Sequence, residues 1–369
     1  MAQAPDLALT RSEDNGPSLE RGPRFQTSYR VGDVLISPNV VLAPMEGVTD
    51  VVFRRLIRSI GGPGLTYTEF IASRGIVNGE ERIWDMASFD PDERPIALQI
   101  YGREPDEMAE AARILEDSGA TIIDINMGCP SKKVCKNSGG SGLMREPELA
   151  VEIVRAVRRA ISTPLTVKMR SGFDHTMRNA PELARAFEQE GVQGLTIHWR
   201  TREDLYGGVR AVDKIAESVD AVDIPVIANG DIIDIPSAKR MFEETGCAGV
   251  MLGRGAIRNP WSMLEIGQWL RGEPLIQVDA TERERVLLLY YDRITEHFDK
   301  PDRVVGRMKM IVRHFADGVP HSKAMRKYLC RGQSRQEVID RTREYFDLCR
   351  AHETGDERAF DAWLSRLNL

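Results

Sequence analysis

Eight short runs rich in apolar and β-branched residues recur along this chain at spacings of about 20 to 35 residues, and that recurrence constrains the fold more than any other feature. Their cores fall at 41–45, 65–69, 95–101, 121–128, 165–170, 194–199, 225–230 and 249–255. The runs are continuously apolar rather than alternating, as strands covered on both faces must be. Amphipathic segments separate most of them. The stretch 106–119 stops at a glycine, 147–161 begins with Pro147 at a first helical position, and 181–191 and 237–246 repeat the pattern. Eight βα units in succession predict an α/β fold of the (β/α)8 TIM-barrel type. A doubly wound sheet is the competing arrangement, but no GxGxxG follows the first run.

A barrel of this kind takes roughly 250 residues, so a chain of 369 leaves room for a second, smaller part. We expect a disordered tail over 1–30, the barrel over 31–272, and an all-helical domain over 280–369 after the linker RGEPLIQVDA. Thr281 and Glu284 have the spacing of a capping box at its first helix. No apolar run approaches the ~20 residues of a membrane span, and the amino-terminal stretch has no secretory apolar core. The five cysteines (129, 135, 247, 330 and 349) contain no CxxC pair. That argues against a disulfide framework or a zinc site and for a reducing cytoplasm.

Barrel active sites lie at the carboxyl ends of the strands. The polar residues ending each run should therefore meet: Met45 with Glu46, Glu69, Gln99, Asn126 with Cys129, Lys168 with Arg170, and His198 with Arg200. Asn229, Gly230 and Asp231 end the seventh run, and Gly253, Arg254 and Gly255 the eighth. The last two groups offer glycines for close backbone approach and an arginine for a phosphate, although ordinary turns have similar composition. Gln99, Lys168 and His198 suit the polar edge of a planar ring that gathers negative charge, as a flavin does on reduction. Lys168 also fits a Schiff-base former, or a structural partner of Glu69 or Asp124.

Six motifs in order carry a family resemblance: APMEGVTD, NMGCPSKKV, VKMR, HWRTREDLYGG, NGDI and MLGRGAIRNPW. Over about residues 36–262, and more loosely beyond, the chain resembles the tRNA-dihydrouridine synthases. The resemblance implies FMN held by Pro44, Met45, Gln99, Lys168, His198, Asn229, Gly230, Asp231, Gly253 and Arg254. It implies Cys129 as proton donor, NADPH as reductant and tRNA as substrate. Two positions depart from the usual pattern: Trp199 stands where a small residue is common, and Asp204 where a neutral one is frequent.

The chemistry explains the cysteine. Hydride addition at C6 of uracil leaves enolate character over C5 and O4, and C5 then needs a proton from the opposite face. A thiol with an ordinary pKa of about 8.5 still carries its proton near neutrality, where a carboxylate does not. Asn126, Arg170 and Arg200 are expected on the substrate side. Lys132, Lys133 and Lys136 suit either backbone phosphates or a solvated loop, and Cys135 reads as incidental.

Net charge is −6, yet 303–335 holds nine Lys/Arg against one acid, Asp317. This stretch reads as two helices broken at Gly318 and Pro320, with Arg307, Arg313 and Arg326 as candidate RNA contacts. The expectation is a metal-free, monomeric enzyme without membrane contact. Its rivals are a flavin oxidoreductase of free pyrimidines, resembling dihydroorotate dehydrogenases, and a non-catalytic RNA-binding protein.

Overall fold

The computed structural model describes residues 25–131, 134, 139–315 and 318–367. Strands β1 (Tyr29–Val31) and β2 (Val34–Ile36) form an antiparallel hairpin ahead of the barrel. The barrel strands are β3 (Val40–Leu42), β4 (Leu65–Tyr67), β6 (Ile96–Tyr101), β7 (Ile122–Met127), β8 (Leu165–Arg170), β9 (Gly194–His198), β10 (Val226–Asn229) and β11 (Gly249–Leu252). All pair in parallel, and β4 with β6 and β11 with β3 close the ring. A two-residue strand, β5 (Ile71–Ala72), adds to the upper end of β6.

All eight predicted runs are present as strands; the run at 165–170 keeps its bounds and the others are shifted or trimmed by a residue or more. The helices between them match the periodicity: Pro105–Asp117, Pro147–Ala160, Ala180–Gln189 and Ile235–Thr245. Each carries a proline in its first turn, where the missing N–H has no intrahelical partner to lose. Their apolar faces cover the outside of the sheet.

The hairpin is a correction. A boundary at residue 30 cuts through it, because Tyr29 already pairs with Ile36. Tyr29, Val31 and Ile36 are buried against Val41, Leu65 and Ile122 inside the barrel. They enter at the amino ends of the strands: a Cβ on Gly249, the first residue of β11, would meet the Tyr29 ring at 2.9 Å. The lower end is thus plugged by side chains, with ~1.5–3 kcal/mol from each large apolar group buried.

After the barrel come helices Ala280–His297, Pro301–Phe315, Ser322–Leu329, Arg335–Glu353 and Asp361–Leu367. The capping box expected at Thr281 and Glu284 is displaced: Asp279 is the cap, its carboxylate accepting from Glu282 N–H at 2.8 Å. Aspartate outcompetes because it stands in extended backbone one residue before the helix. Among the described residues no helix is long and apolar enough to cross a membrane.

Candidate active site

The register of the barrel decides which strand-end residues meet. Gln99 lies beside Asp124, Asn126 beside Lys168, Arg170 beside His198, and His198 beside Asn229. Because side chains alternate along a strand, Asp124 and Asn126 share one face of β7, and Thr166 and Lys168 one face of β8.

A buried polar layer results. Gln99 Nε2 donates to Asp124 Oδ2 at 2.6 Å, and Thr166 Oγ1 to Asp124 Oδ1 at 2.5 Å. Asn126 Nδ2 donates to Gln99 Oε1 at 2.7 Å. The other end of the Asn126 amide accepts from Gly128 N–H at 3.0 Å and Cys129 N–H at 2.9 Å. Asn126 therefore ties the backbone of the cysteine to the barrel interior. Ser141 completes the grip, its hydroxyl and N–H donating to Cys129 O at 2.8 and 3.1 Å.

Burial pushes the Asp124 carboxyl up to about 6, against the hydrogen bonds from Thr166 and Gln99 and the Lys168 charge. Burial, reinforced by the Arg170 charge, pushes the Lys168 ammonium down to about 8, against Asp124 and Cys129. Lys168 Nζ donates to Asn229 Oδ1 at 3.1 Å, and Asn229 Nδ2 to Met251 O at 2.8 Å. His198 is held well below the usual imidazole range by burial and then by Lys168, Arg170, Arg200 and Arg254. It is neutral at physiological pH. Its Nδ1 accepts from Arg200 N–H at 3.1 Å, so Nε2 carries the proton and is a donor.

Two arginines frame this layer. Arg170, 4% exposed, donates to Gly128 O at 2.8 Å, Thr201 O at 2.7 Å and Leu205 O at 3.2 Å. It therefore links the cysteine loop to the loop after β9, and burial pushes it down to about 10. Arg200 pairs with Asp231 at 2.7 Å and lies 4.0 Å from the Trp199 ring centroid. Asp231, at φ 53, also takes Arg254 at 2.8 Å.

Trp199 is the first residue of the loop after β9, yet it is buried rather than presented to a substrate. It is buried against Gly230, whose φ of 116 and missing side chain are both required: a Cβ there would stand 2.4 Å from Trp199 Cδ1. Asp204 is structural to its loop, accepting from Thr201 N–H and Oγ1 at 2.8 Å each and meeting His175 Nε2 at 3.1 Å.

Pro44 and Met45 sit half-buried on the loop after β3, and the Met45 sulfur lies 3.6 Å from where a Gly253 Cβ would be. Arg307 is directed at that same loop, donating to Gly47 O at 3.1 Å. Arg326 is half-buried on Ser322–Leu329, with Lys323 and Lys327 exposed beside it. Lys132, Lys133, Cys135, Lys136 and the Arg313 side chain lie outside the described residues.

Sequence reasoning named Asp124 only as one partner for Lys168 and missed Thr166, so the layer joining Gln99, Asp124 and Thr166 was not foreseen. The signal was an aspartate inside an apolar run, two positions before a residue already singled out.

The donor set fits a flavin. A cationic Lys168, a neutral His198 donor and the Gln99 and Asn229 amides suit the pyrimidine edge of isoalloxazine. The Gly253 backbone leaves room for close approach beside Arg254, whereas the space at Gly230 is taken by the Trp199 ring.

Comparison with known proteins agrees. The family model for dihydrouridine synthase matches residues 41–350. The chain is 40% identical over 299 residues to a probable tRNA-dihydrouridine synthase of Rickettsia prowazekii, covering 80% of this chain and 91% of that one. It is 37% identical over 318 residues to tRNA-dihydrouridine synthase B of Xanthomonas campestris, covering 86% and 96%. In solved structures, a histamine dehydrogenase from Rhizobium shares the fold at 14% identity, with a TM-score of 0.51 over 72% of this chain and 50% of that one. By the family match and by the extent of its curated relatives, the chain belongs to the dihydrouridine synthase family.

Proposed function

We propose that this protein is an FMN-dependent tRNA-dihydrouridine synthase that draws its electrons from NADPH and acts as a monomer in the cytoplasm. Lys168 and His198 would hold the flavin, which when bound would supply the hydride for C6 of a uridine in tRNA. Lys168 places a positive charge where the reduced ring collects negative charge, and with an ammonium titrating near 8 it is still cationic at neutrality. His198, held neutral, donates a hydrogen bond without adding a second charge. Gly230, Gly253 and Arg254 line the place for the FMN phosphate, with Asp231 holding Arg254.

Cys129 delivers the proton to C5. Asn126 and Ser141 fix its backbone from two sides, which limits where the thiol can reach. Arg170 keeps the carbonyl of Gly128 in place and joins it to the loop after β9, on the substrate side. The observation that carries this reading is the Gln99–Asn126–Cys129 chain, which ties the backbone of Cys129 to the polar layer that Lys168 and His198 border.

The division of labour accounts for two domains. The barrel over 31–272 performs the redox chemistry, and the helices over 280–369 grip RNA. Lys323, Lys327 and Arg331 are exposed together there. Contacts to backbone phosphates offset the few kcal/mol needed to unstack the target base. Mass spectrometry of tRNA from cells lacking the protein tests the proposal. One dihydrouridine position should revert to uridine, and unchanged tRNA in cells with no second such enzyme refutes it. Purified protein should be yellow, and turnover on free uracil or orotate would instead mark an oxidoreductase of free pyrimidines.

A further inference from the structure

The loop 44–50 is held from three directions. From beneath, Arg54 donates to Thr49 O at 2.8 Å while pairing with Glu93 at 2.7 Å, both ions buried. From the barrel side, the Glu69 carboxylate accepts from Gly47 N–H. From the helices that follow the barrel, Arg307 Nη1 donates to Gly47 O at 3.1 Å and Nη2 meets Asp50 Oδ2 at 2.9 Å. Asp50 uses its other oxygen to cap the helix Val51–Ile60, accepting from Phe53 N–H at 2.9 Å.

Gly47, at φ 72 with no atom near the position of a Cβ, has no side chain to anchor it. Its N–H and its C=O are each met by a charged side chain, one from each part of the molecule. Within the loop, Met45 N–H donates to Thr49 Oγ1 at 2.9 Å, so what fixes 47–50 also fixes Met45. The charge arrangement points the same way. Burial raises the Glu69 carboxyl, Asp50 and Glu46 raise it further, and Arg307 opposes them. Arg307 is the cation among three carboxylates, and its guanidinium also lies 5.3 Å from the Phe298 ring centroid. Its side chain is 19% exposed and that of Asp50 13%. A phosphate taking this arginine would leave Asp50 half-buried beside two other acids, which disfavours exchange.

We propose that Arg307 is a positioning residue for the flavin rather than an RNA-phosphate contact: it is the strut by which the RNA-gripping helices hold loop 44–50 at the barrel mouth. The inference rests on the function proposed above. It links RNA docking on Pro301–Phe315 to the shape of the cofactor site, and such coupling is reciprocal: RNA should raise FMN affinity as FMN raises RNA affinity.

The test compares Arg307→Ala, Arg307→Lys, Asp50→Asn and Arg326→Ala in the full chain. FMN affinity is read by fluorescence quenching on reconstituting apoprotein, and tRNA affinity across a salt series. Arg307→Ala should weaken FMN about 10-fold and leave the salt slope of tRNA binding unchanged. Arg326→Ala should lower that slope by about one and leave FMN affinity alone. Asp50→Asn preserves the helix cap, so its loss of FMN affinity should not add to that of Arg307→Ala. Arg307→Lys should recover part of the loss. The inference is overturned if Arg307→Ala lowers the salt slope by about one with FMN affinity intact, or if the Arg307 and Asp50 losses simply add. A wild-type protein that takes up no FMN defeats the function itself, whereas flavin-loaded wild type with indifferent variants defeats only this inference.

Discussion

At the amino ends of the barrel strands, Tyr29, Val31 and Ile36 close against Val41, Leu65 and Ile122. A few residues further along the same strands stand Gln99, Asp124, Asn126, Lys168 and His198. The lower end is held by contacts that are individually small and interchangeable, so any one can be weakened without moving the rest. At the upper end each group has a named partner, and the titrating ones, Asp124, Lys168 and His198, are shifted by desolvation and by their neighbours. Removing one partner there strands a charge or an unpaired hydrogen-bonding group, which costs far more than the contact itself contributed. Stability and chemistry are thus separated along the strand axis, and substitutions at the two ends should fail differently.

The largest effect on turnover is expected at Cys129. Cys129→Ala should slow dihydrouridine formation by roughly 10²–10⁴-fold, while NADPH still reduces the flavin and tRNA still binds. Product formation at the wild-type rate would remove the thiol from the mechanism.

Lys168→Met should slow reduction of the flavin by NADPH about 10²-fold or more. Its pH dependence has a definite sign. A lysine lowered to about 8 is cationic below that value and neutral above it, so wild-type activity should fall as pH rises through about 8. That falling limb should vanish in the variant, and a limb that persists belongs to another group.

Gly230→Ala sharpens the contrast by adding a single methyl at the upper end. The positive φ and the Trp199 ring both oppose it, at roughly 1–3 kcal/mol for the backbone strain alone. FMN affinity and melting temperature should both drop, and pairing it with Trp199→Ala should return only the part due to the clash. A fully restored double variant would mean that the backbone conformation carries no cost.

The smallest effect on turnover is expected from Ile36→Ala in the plug. It should cost about 2–5 kcal/mol of stability in denaturant melts and leave kcat/KM on tRNA unchanged below the transition. A change in kcat/KM would show that the two ends are mechanically coupled.

Legibility followed the same division. Continuous apolar runs and helix-start prolines carry a local, periodic signal, so the eight strands could be placed and their carboxyl ends read as a site. The hairpin at 29–36 escaped because its strands are three residues each and its turn is only Gly32 and Asp33. Asp124 was legible only as one partner for Lys168; its bonds to Gln99 and Thr166 exist only where neighbouring strands bring those residues to it. Arg307 was visible as a basic residue on a basic helix, but its partners Gly47 and Asp50 are more than 250 positions away.

The order of residues by itself determined the barrel, the end of it where polar strand-end residues gather, and the thiol between Gly128 and Pro130, because periodicity and backbone stereochemistry act over a few positions. Only the tertiary structure decided that Asn126 anchors the cysteine, that Lys168 titrates near 8, and that an arginine of the later helices steadies the first loop. Those outcomes depend on distance and desolvation, which exist only once strands far apart in the chain have closed into a ring.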